Sequence, residues 1–166
     1  MIGIDRRTLL AAAAMGLLGE TARAAPIRFR EVRVDTRPFA AKGVSRYAAK
    51  VGERLKRAVA EAFSDRLVPG DRAAPVLVVE VSTVRLAAWA GGSRRGFGFG
   101  SGSLDADEME GALVVQSRQG AVVERRRHYA SSEPSNSGPW YLPDNEDRRL
   151  EALCRLYAAW AVREFE

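Results

Sequence analysis

Residues 75–86 read Pro75-Val76-Leu77-Val78-Val79-Glu80-Val81-Ser82-Thr83-Val84-Arg85-Leu86. The run is dense in β-branched residues, which favour strands. Its first half is apolar on both faces and predicts a central strand, covered on both sides. Its second half alternates apolar and polar residues, so the strand emerges from the core there. A central strand needs neighbours, and the flanking sequence supplies them.

Upstream, Ile27 to Asp35 (IRFREVRVD) alternates with a phase slip near Glu31, which predicts a half-buried strand with a bulge. Thr36 to Gly43 contains Pro38 and Gly43 and reads as a loop. Ala48, Val51, Leu55, Ala58, Val59, Ala62 and Phe63 then recur at three- and four-residue steps. They form the apolar stripe of a helix from about Arg46 to Asp65, with Ser45 as its cap and Glu53 pairing with Arg57 on the wet side. Val68-Pro69-Gly70-Asp71 ends that segment.

Downstream, Met109 to Ser117 and Ala121 to Tyr129 are two further strands joined by Ser117-Arg118-Gln119-Gly120. A short loop ending in glycine suits a hairpin with a bulge. A polar stretch with Pro134, Pro139 and Pro143 follows. Asp144 then caps a last helix whose buried stripe is Leu150, Leu153, Tyr157, Trp160 and Ala161, with Cys154 as a buried small hydrophobe. The order β-α-β-β-β-α predicts an α+β two-layer sandwich, with two helices on one face of a mixed four-stranded sheet.

The chain has 166 residues and a net charge of +5. Its first residues, MIGIDRRTLLAAAAMGLLGETARAAP, have the order of an export signal. Arg6 and Arg7 form the charged region, Thr8 to Leu18 a short apolar run, and Ala22-Arg23-Ala24 a cleavage site. The run is too short to span a bilayer. Asp5 to Leu10 resembles the twin-arginine export motif; an ordinary secretory signal gives the same destination. Residues 1–24 are thus expected to be removed, leaving 25–166 as one domain in the periplasm, with no transmembrane segment. The basic balance points away from nucleic acid, because the destination holds no genome and the positive residues are spread along the chain.

Residues 91–103 read GGSRRGFGFGSGS, within a glycine-rich loop expected at 90–108. A phosphate cradle would need a helix start after the glycines and a G-K-[ST] sequence, and neither follows. Two readings stand: a plain connection whose rings fold over the sheet edge, or a loop whose Arg94, Arg95, Phe97 and Phe99 touch a partner. Arg125 and Arg127 share one strand face with Val123, the face without helices. They either cover it with their aliphatic stems or mark an anionic contact. The carboxylates Asp105, Asp107, Glu108 and Glu110 read as a solvated acidic turn. His128 and Cys154, predicted on different elements, do not make a zinc site. No catalytic residue, cofactor or metal is called for.

The pattern resembles a loosely related group of bacterial envelope proteins of unknown function, often lipoproteins. The residues that carry the resemblance are Val76 to Val84, Arg95 to Ser103, and Leu113-Val114-Val115 with the turn at Gly120. The layout is also similar to that of the lipopolysaccharide-assembly lipoprotein and of accessory subunits of envelope transporters. The resemblance implies a non-catalytic accessory or binding protein, with an envelope membrane protein or an anionic glycolipid as partner. The chain departs from these proteins in lacking a lipobox cysteine, which implies a soluble periplasmic form. The alternatives are a small exported hydrolase using His128 with a nearby serine, Ser131 or Ser132, or a nearby carboxylate, and a purely structural envelope scaffold.

Overall fold

The computed structural model describes residues 27–87, 106–139 and 141–166. Four strands, β1 (Glu31–Asp35), β2 (Val76–Arg85), β3 (Asp107–Gln116) and β4 (Val122–Ser132), form one sheet in the order β1-β2-β3-β4. β1 runs parallel to β2, and the β2–β3 and β3–β4 pairs are antiparallel. The helices are α1 (Arg37–Ala40), α2 (Ser45–Ala62) and α3 (Asn145–Arg163). Short 3-10 turns lie at Ser64–Arg66 and Pro134–Ser137. The α+β sandwich with a mixed four-stranded sheet is therefore the fold.

The main core lies between the sheet and the two long helices. Leu77, Val79 and Val81 of β2 and Met109, Leu113 and Val115 of β3 meet the stripe of α2 and Leu150, Leu153, Cys154, Tyr157 and Ala161 of α3. Each fully buried side chain of this size contributes about 1.5–3 kcal/mol. Val76, Val78, Ala112 and Val114 form a second, smaller buried cluster on the opposite face of β2 and β3. β2 is central and apolar on both sides for that reason.

Local details depart from the sequence expectations. The phase slip at the start of the first strand is a break, not a bulge. Phe29 leaves the sheet register, bridges Leu67 and packs edge-on against Phe63 and Phe165, with centroids 5.9 and 5.2 Å away. The stretch expected as a loop at 36–43 holds α1, whose Phe39 is buried. Ser45 is the first residue of α2, and Val44 occupies its cap position without a side-chain bond. Asp144 holds the cap position of α3, but its carboxylate pairs with Arg148 at 2.9 Å instead of capping. Trp160 is 36% exposed and lies off the buried stripe. Arg57 reaches across to Glu151 of α3, not along its own helix to Glu53. The β3–β4 turn behaves as expected: Gly120 has φ +84°, and the register shifts between Val115 and Gln116.

The two long helices run in the same direction, since Lys50 meets Asp147 and Arg57 meets Glu151. Their N-termini lie where β2 ends and β3 begins, because Arg149 near the start of α3 touches Ala87 and Asp107. Ala87 and Asp107, which stand on either side of residues 88–105, therefore lie at the N-terminal ends of both helices.

Candidate functional site

A buried ion pair joins the described residues on either side of 88–105. The side chains of Arg149 and Asp107 are only 7% and 1% exposed. Arg149 Nε donates to Asp107 Oδ2 at 2.9 Å, and Arg149 Nη2 donates to Asp107 Oδ1. The same Nη2 donates to the Ala87 carbonyl at 2.8 Å, and the Ala87 N–H donates to Asp107 Oδ1 at 2.9 Å. One residue after β2, one at the head of β3 and one on α3 are locked together. Both polar groups of Ala87 are satisfied in this way, as a buried backbone requires.

Asp107 is thus not part of a solvated acidic turn. Nor is Glu108, whose carboxylate takes a 2.5 Å contact from Arg85. Glu110 is exposed but lies within β3, not in a turn, and Asp105 lies outside the described residues. Sequence reasoning missed the pair, although a signal was present. Arg149, Leu153 and Tyr157 are spaced by four residues, so Arg149 falls on the apolar stripe of α3. A charge placed there needs a buried partner.

The face of the sheet without helices carries Arg125 and Arg127 on β4, opposite Val114 and Ala112 of β3. Arg125 reaches across β3 to Glu80 on β2, with Nη1–Oε1 and Nη2–Oε2 contacts of 3.1 and 2.6 Å. The bridge lies over the small apolar cluster of Val76, Val78, Ala112 and Val114. Arg125 is therefore committed to covering that patch. Arg127 is exposed on the same face. Arg126 points to the helix side, where it meets Glu124 at 2.6 Å and lies over the Phe165 ring.

His128 also faces the helices and is 5% exposed. Its Nε2 lies 2.9 Å from the Tyr157 carbonyl, so Nε2 carries the proton and donates it. The imidazole stands edge-on to the Tyr157 ring at 4.3 Å. Burial pushes its pKa below the usual histidine value. Strand alternation puts Ser131 on the opposite face of the sheet. Ser132 shares the face of His128 but sits four residues along, roughly 13 Å at about 3.3 Å per residue. The strand thus keeps His128 away from both serines. Cys154 is fully buried, and burial pushes its thiol up to about 12.

Gly111 and Tyr157 complete this region. The Tyr157 hydroxyl donates to the Glu80 carbonyl at 3.3 Å, next to the register shift between Val81 and Thr83. A Cβ on Gly111 would stand 1.8 Å from that carbonyl oxygen and 2.7 Å from the hydroxyl. Only glycine lets the ring tip pass over β3.

Arg94, Arg95, Phe97 and Phe99 lie outside the described residues, as do Arg6, Arg7, Ala22 and Ala24 of the expected export signal. Among the described residues, no group of three or more His, Cys, Asp or Glu side chains is placed to hold a metal ion. No helix there is long and apolar enough to cross a membrane.

No protein-family model matches the chain, and no curated protein matches it. Among solved structures, the chain is similar to a minor lipoprotein from Acinetobacter baumannii. The identity is 16% and the TM-score 0.44, over 82% of this chain and 88% of that one. A likeness at that level transfers no function.

Proposed function

We propose that the protein is a non-catalytic binding protein exported to the bacterial periplasm. It serves there as an accessory to an envelope membrane protein or by holding an anionic glycolipid. The observation that carries the reading is the Arg149–Asp107 pair and its grip on Ala87. Breaking a buried pair of this kind costs about 3–5 kcal/mol, so Ala87 and Asp107, on either side of residues 88–105, are tied together. The residues between them include Arg94, Arg95, Phe97 and Phe99, two cations beside two aromatic rings. That combination suits a membrane interface or an apolar groove with an acidic rim. In this reading those four side chains make the contact. Arg127 adds a charge from the open sheet face, while Arg125 is held by Glu80.

The export part of the reading rests on the order of Arg6-Arg7, the apolar run and Ala22-Arg23-Ala24. Fractionation of the native host, with mass spectrometry of the mature N-terminus, tests it. The expected result is periplasmic protein beginning at Ala25; an uncleaved chain in the cytoplasm refutes it. The contact part is tested by alanine at Arg94, Arg95, Phe97 and Phe99 together. Loss of a reproducibly co-purifying envelope component is expected, and unchanged recovery of that component removes the proposed contact.

A further inference from the structure

The basic residues are not neutralised evenly over the surface. On the open sheet face Arg125 has Glu80 to itself. Along the seam between α2 and α3 the situation differs. A single carboxylate, Glu151, serves three guanidinium groups: Arg54 Nη1 at 3.1 Å, Arg57 Nη2 at 3.4 Å and Arg155 Nε at 3.5 Å. Asp147 is likewise shared by Lys50 and by Arg54, the latter at 3.3 Å. All of these but Lys50 line a shallow cleft of ≈ 510 Å³, together with Arg148 and with Asn136 and Ser137 of the 3-10 turn.

We propose that this seam is an anion site that takes a phosphate group. Three features support the assignment. The cleft is under-neutralised, because three cations compete for Glu151. The Arg57 and Arg155 contacts to it are longer than the 2.7–2.9 Å usual between guanidinium and carboxylate, so neither cation is saturated. Each guanidinium also carries five N–H donors in a planar fork, and Arg57 and Arg155 use only one nitrogen apiece on Glu151. A tetrahedral phosphate oxyanion can accept from both forks at once, on the solvent side of Glu151. Asn136 and Ser137 offer neutral polar groups on the far wall. The site is independent of export and of residues 88–105, so it stands or falls separately from the function proposed above.

The test uses the full chain and two probes. One is inorganic phosphate at fixed ionic strength, followed by NMR of the arginine Nε–H groups. The other is cosedimentation with phosphatidylcholine vesicles, with and without phosphatidic acid. Shifts of the Arg57 and Arg155 signals that saturate with inorganic phosphate support the site, with free phosphate or a soluble phosphate ester as its source. Weak response to free phosphate with retention on phosphatidic acid vesicles supports it, with a lipid headgroup as the source. Arg57 and Arg155 are 72% and 68% exposed, so an Arg57→Gln/Arg155→Gln variant folds. It is expected to bind about tenfold more weakly or worse. Glu151→Gln removes the internal competitor and is expected to tighten binding. Failure of both probes, or wild-type affinity in the double arginine variant, overturns the proposal.

Discussion

Removing either partner of the Arg149–Asp107 pair is expected to destabilise the fold far more than removing any surface charge. In Arg149→Met the Asp107 carboxylate keeps one donor, the Ala87 N–H, and loses both guanidinium contacts, while the Ala87 carbonyl loses its partner. In Asp107→Leu the guanidinium stays buried without a counter-charge, and the Ala87 N–H loses its acceptor. Breaking a buried pair from one side costs about 3–5 kcal/mol, which for a domain of this size lowers Tm by roughly 10 °C. Asp107→Leu/Arg149→Met removes both charges, and such replacements are often neutral in an apolar core. Here they would leave the N–H and carbonyl of Ala87 unpaired, at about 1–3 kcal/mol each. The double variant should therefore remain less stable than wild type, yet lose clearly less than the two single losses added. Urea unfolding of all four proteins measures this cycle, and hydrogen exchange at the Ala87 amide reports the local effect. Single losses below about 1 kcal/mol, the range of exposed ion pairs, would refute the argument that the pair locks Ala87 to the head of β3.

Gly111→Ala forces a Cβ to within 1.8 Å of the Glu80 carbonyl oxygen. A loss at or above the roughly 3 kcal/mol upper range of overpacking is expected in chemical denaturation. The folded pKa of His128 lies below its ordinary value of 6.5, through burial that outweighs the Tyr157 carbonyl. The unfolded chain therefore binds the proton more readily, and stability falls as pH drops through about 6.5 towards the folded value. Thermal melts from pH 8 to pH 5 should show that fall in wild type and a flatter profile in His128→Gln. Cys154, its thiol pushed up to about 12 by burial, should resist thiol reagents in the native protein and react only on unfolding.

The sheet and both long helices were legible because each carries a local period. Leu77, Val79 and Val81 repeat every two residues, and Val51, Leu55, Ala58 and Val59 repeat at helical spacing. What failed locally depends on partners distant in sequence. The slip before Glu31 reads as a bulge from the strand alone. Phe29 instead leaves the strand to join Phe63 and Phe165, rings that arrive from α2 and the chain's end. Glu53 and Arg57 satisfy the helix pairing rule, but α3 brings Glu151 to Arg57 instead. Asp107 looked solvated among its acidic neighbours until Arg149, on another element, came to bury it. Of the candidate contact residues, Arg125 and Arg127 were placed on the correct face, but the bridge to Glu80 needed the register of three strands.

The pattern of arginine pairing carries a further argument about where a charged ligand can act. On the open sheet face Arg33 pairs with Glu31, Arg37 beside it with Asp35, Arg85 with Glu108 and Arg125 with Glu80, while Arg127 is exposed. Each such pair cancels within a few ångströms, so little net field remains on that face beyond the charge of Arg127. At the helix seam, five cations, Lys50, Arg54, Arg57, Arg148 and Arg155, face only Asp144, Asp147 and Glu151. The imbalance lies beside the N-terminal half of α3, whose positive dipole end adds to it. An anionic ligand drawn by the protein's overall positive charge is therefore steered to the helix side. The open sheet face, with its paired charges cancelled over an apolar patch and Arg127 left exposed, is better suited to a partner that recognises shape and backbone than to one that recognises charge alone.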